Sequence, residues 1–259
     1  MNECFTRVKP KEFKEWNEEM VKKYDPDAFH HHPNPIVRFI ENKRVKTILK
    51  LIAGHHAAHH KDRGLLEVGC GAGRMTRVFA REFAHVDALD ISPEMQRQAK
   101  EYLREFQNIR WVLADGATLC GVTDASADFT FSYLVLQHLP SQALATELLR
   151  EILRTLKPGG LFLLQYNGAR KPSMNWRGRA AWGVVNRLWS AGFHRAARAT
   201  ASAMHLDPEM VGKSWHGISL DSADVRLILE SAGGQSLHFS GETTPMAWCW
   251  GLRGAGDGL

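Results

Sequence analysis

The stretch 64-GLLEVGCGAGRMT-76 constrains the fold of this chain more than any other. A short apolar run ends in three glycines at alternate positions, Gly69, Gly71 and Gly73, and a segment of helical character follows. Glycine at that density serves a backbone that turns tightly or lets a ligand approach closely. Strand, glycine turn and helix in that order open an α/β unit, and the N–H groups of the turn suit an electron-rich or anionic group. Alone, the stretch admits a dinucleotide, a nucleoside triphosphate or another adenosine-bearing cofactor.

The same rhythm continues downstream. Apolar runs at 65–69, 86–90, 109–115, 128–135 and 161–167 alternate with helical segments near 73–83, 93–106 and 141–156. Such alternation predicts an α/β fold with a doubly wound, mostly parallel sheet and right-handed crossovers. After residue 167 the rhythm breaks, and 168–220 hold no strand-like run. It resumes with a helix near 221–231 and strands near 235–240 and 246–252. Upstream, Phe13, Trp16 and Met20 stand at helical spacing among charges, 24-YDPDAFHHHPNP-35 reads as irregular, and a helix is expected from Pro35 with Asn34 as N-cap. The predicted organisation is an N-terminal helical cap over 1–60, a ligand-binding core over 61–167, a helical insertion over 168–220 and the end of the sheet over 221–253.

The chain has 259 residues, of which 44% are apolar and 24% charged, which is ample for one large core. Its net charge of +5 is too small to indicate nucleic-acid binding by itself. Cys4, Cys70, Cys120 and Cys249 are far apart and form no CxxC pair, so neither a disulfide framework nor a cysteine zinc site is expected, and a reducing cytoplasm is. The first twenty residues are charged throughout and do not read as a signal peptide. No run approaches the ~18 apolar residues that span a bilayer.

Spacing narrows the ligand. The dinucleotide fingerprint counted from Gly69 needs a glycine at position 74, where Arg74 stands, and the P-loop pattern is absent. Glu67 precedes the glycines by two positions. Asp90 ends the second apolar run, 17 residues beyond Gly73 (90 − 73), where a carboxylate accepts hydrogen bonds from both ribose hydroxyls. Asp115 and Gly116 end the third run, within reach of an adenine amine. The segment 157-KPGG-160 reads as a helix stop and turn.

Together, 66-LEVGCGAG-73, 88-ALDISPEM-95, 113-LADGATL-119, 133-YLVLQHL-139 and 155-TLKPGGLFLL-164 resemble the class I S-adenosylmethionine-dependent methyltransferases. The resemblance is continuous over about residues 60–167, and the order of strands and helices to 252 agrees with it. It implies a Rossmann-like, seven-stranded sheet with the last strand antiparallel, and S-adenosyl-L-methionine as cofactor. It further implies that Gly69, Gly71 and Gly73 contact the methionine part and ribose. Asp90 would hold the ribose, Ile91 would pack on the adenine, and Asp115 with Gly116 would read its edge. Leu134 would offer its backbone carbonyl to the methionine ammonium, Glu67 belongs to the same motif, and Tyr24 would close over the cofactor. A sulfonium makes methyl transfer intrinsically favourable, so the protein's work is alignment and exclusion of water. A base is required only when the acceptor arrives protonated.

Acceptor-side residues follow from strand ends and flanks. His138 is the candidate base, with a structural role as the competing reading. Tyr166, Asn167 and His216 are the positional candidates for substrate contact. His30, His31 and His32, and the i, i+4 pairs His55/His59 and His56/His60, raise the question of a metal. The segment 54-GHHAAHHKDRG-64 instead reads as a polar helix end, no HExxH motif is present, and no metal is expected. Residues 176–204 interleave Trp176, Trp182, Trp189 and Phe193 with five arginines. Three readings of them stand: an amphipathic cap, a substrate lid, or a contact with anionic lipid. For the whole chain the leading reading is methyl transfer to a small-molecule acceptor in the cytoplasm. The alternatives are a lipid or polyprenyl-type acceptor at a membrane surface, or a cofactor-binding protein without catalysis. No nucleic-acid partner is expected, because 133-YLVLQ-137 stands where an Asn/Asp-Pro-Pro-aromatic tetrad would.

Overall fold

The computed structural model describes residues 46–48, 50, 62–116, 118–169, 176–204 and 217–255. Tyr24, the histidines at 30–32, 55, 56, 59 and 60, His216 and the start of the helix expected at Pro35 lie outside the described residues.

The glycine stretch folds into β1 (Gly64–Val68), a turn and α1 (Arg74–Glu82). Next come β2 (His85–Asp90), α2 (Pro93–Tyr102), β3 (Ile109–Leu113) and β4 (Ala127–Ser132). A single 3-10 turn, Leu136–His138, precedes α3 (Gln142–Thr155) and β5 (Leu156–Tyr166). The insertion forms α4 (Trp176–Ser190) and α5 (His194–Ala203), and α6 (Ser222–Ser231), β6 (Gly234–Ser240) and β7 (Ala247–Arg253) close the chain. The helix starts follow local chemistry. Ser92 Oγ accepts from the Met95 N–H at 3.3 Å with Pro93 in the first turn, Ser141 Oγ accepts from Leu144 at 3.2 Å, and Asp221 caps α6 at 2.9 Å.

The seven strands form one sheet in the order β3-β2-β1-β4-β5-β7-β6. Pairs from β3 to β5 are parallel, and β7 runs antiparallel to both β5 and β6, as the resemblance implied. The order reverses between β1 and β4. In such sheets the crevice at the carboxyl ends of the strands beside the reversal is where ligands bind.

Alternation along the strands feeds two cores. On one face α1 sets Met75, Phe79 and Phe83 on Leu65, Phe129, Phe131 and Leu161, and Ile48 joins them. Phe79 meets Phe131 edge-on at 5.0 Å, and Phe83 stacks on Phe129 at 5.9 Å, favourable geometries for aromatic pairs. On the other face α3 and α6 bring Leu149, Ile152, Val225 and Leu229 onto Leu66, Phe162 and Leu164.

Two expectations are corrected. The fifth strand starts at Leu156 rather than near 161, so 157-KPGG-160 lies within it. The ladder steps from Ala127↔Leu156 to Phe129↔Leu161, so the extra residues form an irregular turn inside the strand, with Gly159 at φ +75°. Of the cysteines, Cys70 and Cys249 are buried free thiols, whereas Cys120 is disulfide-bonded. Among the described residues, no helix is long and apolar enough to cross a membrane.

Candidate cofactor and acceptor site

The three glycines adopt left-handed φ of +81°, +54° and +92° at 69, 71 and 73, each for a different reason. A Cβ on Gly69 would lie 2.1 Å from Val135 Cγ2, so this glycine lets the β4 end close over the turn. A Cβ on Gly73 would lie 2.9 Å from Leu103 Cδ1 and 3.3 Å from Ala99, so this one lets α1 approach the α2 region. A Cβ on Gly71 would meet nothing within 4 Å. The middle glycine therefore borders open space, a cradle that a side chain would fill. The turn is pinned below it: the N–H groups of Gly69 and Cys70 both donate to the Leu89 carbonyl at 2.8 Å.

Asp90 ties the turn to β2. Its Oδ2 accepts from the Gly71 N–H and its Oδ1 from the Ser92 N–H, both at 2.8 Å. Two backbone donors thus fix the carboxylate beside the open position at Gly71. Ile91 follows it and packs on the larger core. At the end of β3, Asp115 accepts from the Thr118 N–H at 2.7 Å and from its hydroxyl at 3.0 Å. That Asx-type turn, with Gly116 at φ +85°, shapes the loop expected at the adenine edge.

Glu67 sits behind the glycine turn. It is buried and accepts from the Thr76 hydroxyl at 2.6 Å. Burial pushes its carboxyl up from 4.5 to about 7, against the pull of Thr76 and Arg74, while Asp90 adds to the rise. Arg74, in the place of the missing glycine, is itself buried and lies over the Tyr133 ring at 5.5 Å. Tyr133 in turn stacks on Trp248 at 5.5 Å.

Across the reversal, Leu134 holds φ +60°, a strained conformation for a branched residue. The buried Gln165 holds it there: Oε1 accepts from the Leu134 N–H at 2.9 Å. That contact fixes the orientation of the amide. Gln165 Nε2 then donates to the carbonyls of Tyr166 (2.8 Å) and Pro245 (3.0 Å), and to Gln137 Oε1 at 3.3 Å. With its oxygen turned to Gln165, Gln137 presents Nε2 to His138 Nε2 at 3.3 Å. An amide nitrogen only donates, so this contact is a hydrogen bond in the neutral imidazole that carries its proton on Nδ1. In that tautomer the Nε2 lone pair faces Gln137. Neither glutamine was singled out from the sequence, although a polar residue inside the apolar run LFLLQYN was a visible signal.

The remaining acceptor candidates divide. Tyr166 is fully enclosed in the larger core, its hydroxyl bonded to Ser222 Oγ at 2.6 Å and pushed up to about 12 by burial. It packs where substrate contact was expected, because residue 166 alternates with Gln165 onto the α6 face. Asn167 organises the insertion's two ends: Oδ1 accepts from the Ala169 N–H at 3.1 Å, and its carbonyl accepts from the returning Leu220 N–H at 2.9 Å. The Ile218 N–H donates to the Gln137 carbonyl at 2.9 Å, so the returning chain lies against the segment carrying His138.

Residues 66–164 match the family described as a methyltransferase domain. A demethylmenaquinone methyltransferase of Tropheryma whipplei is 34% identical over 108 residues, 41% of this chain and 43% of that protein. A ubiquinone biosynthesis O-methyltransferase of Xanthomonas oryzae pv. oryzae is 32% identical over 105 residues, 40% of this chain and 43% of that protein. The matched stretch thus spans less than half the length of either relative. In three dimensions the chain is similar to the N-methyltransferase NodS of Bradyrhizobium japonicum, solved with S-adenosyl-L-homocysteine, with a TM-score of 0.57 at 15% identity over 94% of this chain and 99% of that one. Residues 66–164 therefore match a methyltransferase domain, and the sheet that carries them has the class I S-adenosylmethionine-dependent methyltransferase fold.

Proposed function

We propose that this chain is an S-adenosyl-L-methionine-dependent methyltransferase that moves a methyl group to a small-molecule acceptor by in-line displacement. The observation that carries the reading is the cradle at Gly71: open space above a left-handed glycine whose N–H is bonded to Asp90. The cofactor supplies a methyl group activated on a sulfonium. Gly69, Gly71 and Gly73 would line its methionine and ribose, Asp90 would take the ribose hydroxyls, and Ile91, Asp115 and Gly116 would border the adenine. The strain at Leu134 aims the backbone at the end of β4, where a carbonyl receives the ammonium. Glu67 serves from behind, holding the start of α1 through Thr76. His138, with its proton on Nδ1, acts in this reading as a hydrogen-bond donor that orients the acceptor rather than as a base.

A lipid-soluble acceptor is the favoured finer reading. It draws on the names of the two relatives, which place them at demethylmenaquinone and in ubiquinone biosynthesis, and on the exposed apolar residues of the insertion.

Calorimetry tests the core of the proposal. Binding of S-adenosyl-L-methionine or its demethylated product is expected in the micromolar range, roughly −8 kcal/mol. Absence of heat with both ligands overturns it. Binding without turnover across quinol, phenol and amine acceptors would favour a non-catalytic role instead.

A further inference from the structure

The α4–α5 hairpin is the part of the molecule that the sheet does not account for. Among the described residues its helices pack on each other, with Val185, Ala197 and Ala201 buried and Trp182, Leu188 and Trp189 packed against these. The turn that joins them is well defined. Gly192 is at φ +85°, its N–H donates to the Trp189 carbonyl at 3.0 Å, and the Phe193 N–H donates to the Leu188 carbonyl at 2.9 Å. This turn leaves Phe193 at the tip, 62% exposed. Three of the four exposed large apolar side chains among the described residues, Val184, Phe193 and Met204, belong to the hairpin.

Charge is as unevenly placed. Residues 176–204 contain five arginines and no aspartate or glutamate. The rest of the chain therefore carries 28 basic residues (33 − 5) against 28 acidic ones, and the whole net charge of +5 resides in this hairpin. The acid-free stretch runs from 152 to 206. Arg187, Arg195 and Arg198 are exposed on both sides of the tip, Arg198 lying 5.9 Å above the Trp189 ring. A basic surface with an apolar tip is the pattern of elements that lie in a lipid interface, where guanidinium groups grip phosphates and the apolar residues enter the acyl boundary.

We infer that the α4–α5 hairpin docks on an anionic bilayer, with Phe193 inserted and Arg187, Arg195 and Arg198 on lipid phosphates. A single-stranded nucleic acid would need several aromatic faces open for stacking, and Trp182 and Trp189 pack on the hairpin's own core, leaving Phe193 as the well-exposed ring among the described residues of the hairpin. The inference stands apart from the proposed methyl transfer, but the two fit together. Asn167 and Gln137 hold the insertion's ends at the carboxyl edge of the sheet, where the proposed acceptor would enter.

Co-sedimentation of the full chain with vesicles of phosphatidylcholine alone, or with 30% phosphatidylglycerol (about one lipid in three, enough for a strong surface potential), tests this. The protein should pellet with the anionic vesicles, stay in solution with the neutral ones, and be released by salt. Reversing Arg187, Arg195 and Arg198 together to Glu should weaken association on the order of a hundredfold or more. Phe193→Ser should weaken it roughly tenfold at constant charge. Equal binding to both vesicle types, no binding to either, or indifference to Phe193→Ser overturns the proposal. So does tight binding of a single-stranded RNA by a protein that ignores anionic vesicles. Circular dichroism and binding of S-adenosyl-L-homocysteine, measured on each variant, separate lost docking from lost folding. Vesicle binding by a wild-type protein that binds no cofactor would leave docking standing and remove the methyltransferase reading.

Discussion

The glycine turn at 69–73 and the α4–α5 hairpin at 176–204 are built on opposite principles. In the turn, each glycine has a specific neighbour: the Gly71 N–H is tied to Asp90, Gly69 closes on Val135, and Gly73 lies against Leu103. Stereochemistry leaves little freedom there, and single atoms decide the outcome. In the hairpin, composition decides: five arginines, no acids and exposed apolar residues around a core of one valine and two alanines. A turn of the first kind suits a ligand of one shape, whereas a surface of the second kind suits a broad, poorly defined partner. Substitutions should therefore be all-or-none in the turn and graded in the hairpin.

The sharpest test of that contrast is Asp90→Ala, which removes the acceptor for two backbone N–H groups beside the cradle. Calorimetry should show cofactor affinity lost by a hundredfold or more, about 3 kcal/mol. Gly69→Ala should act on the fold instead. Its Cβ would overlap Val135, and a destabilisation of about 3 kcal/mol is expected in urea denaturation. Gly71→Ala, with open space around it, should cost only about 1 kcal/mol of stability while still obstructing the cofactor. Equal stability losses at 69 and 71 would break the assignment of different roles to the two glycines.

Glu67→Gln tests the support behind the turn through pH. Burial raises the carboxyl from 4.5 to about 7, so between these values the native state holds a proton that the unfolded chain releases. The stability of the native protein therefore falls as pH rises through that window. The Gln variant should match the wild type near pH 5 and exceed it at pH 8 by up to about 3 kcal/mol, read from urea midpoints at the two values. Gln165→Leu should cost about 2 kcal/mol, since it strips the Leu134 N–H and two carbonyls of their partner. Its distinguishing readout is the His138 ring, whose Nδ1–H tautomer should become mixed in nitrogen-15 spectra. The smallest effect belongs to the hairpin: Arg195→Ala should shift stability by no more than about 0.5 kcal/mol in thermal melts.

The alternation of strands and helices and the glycine turn were legible because each depends on neighbours in the chain. Alternation is a property of segments under about fifteen residues, and a turn's need for glycine is written in its own φ angles. The boundaries of β5 were misplaced because a run interrupted by KPGG looks like a turn until a partner strand pairs with both of its sides. Tyr166 and Gln165 show the limit more clearly. They are adjacent, and no periodicity says that one enters the core under α6 while the other reaches back to Leu134, 31 positions earlier, and across to Pro245, 80 positions later. A hydrogen bond depends on distance in space, and only the closed sheet makes those separations short. The sequence by itself determined the α/β rhythm and the cofactor turn. The tertiary structure decided which amide holds Leu134, which glutamine faces His138, and, among the described residues, that the two helices of the arginine-rich hairpin pack on each other, because each of these contacts depends on distance in space.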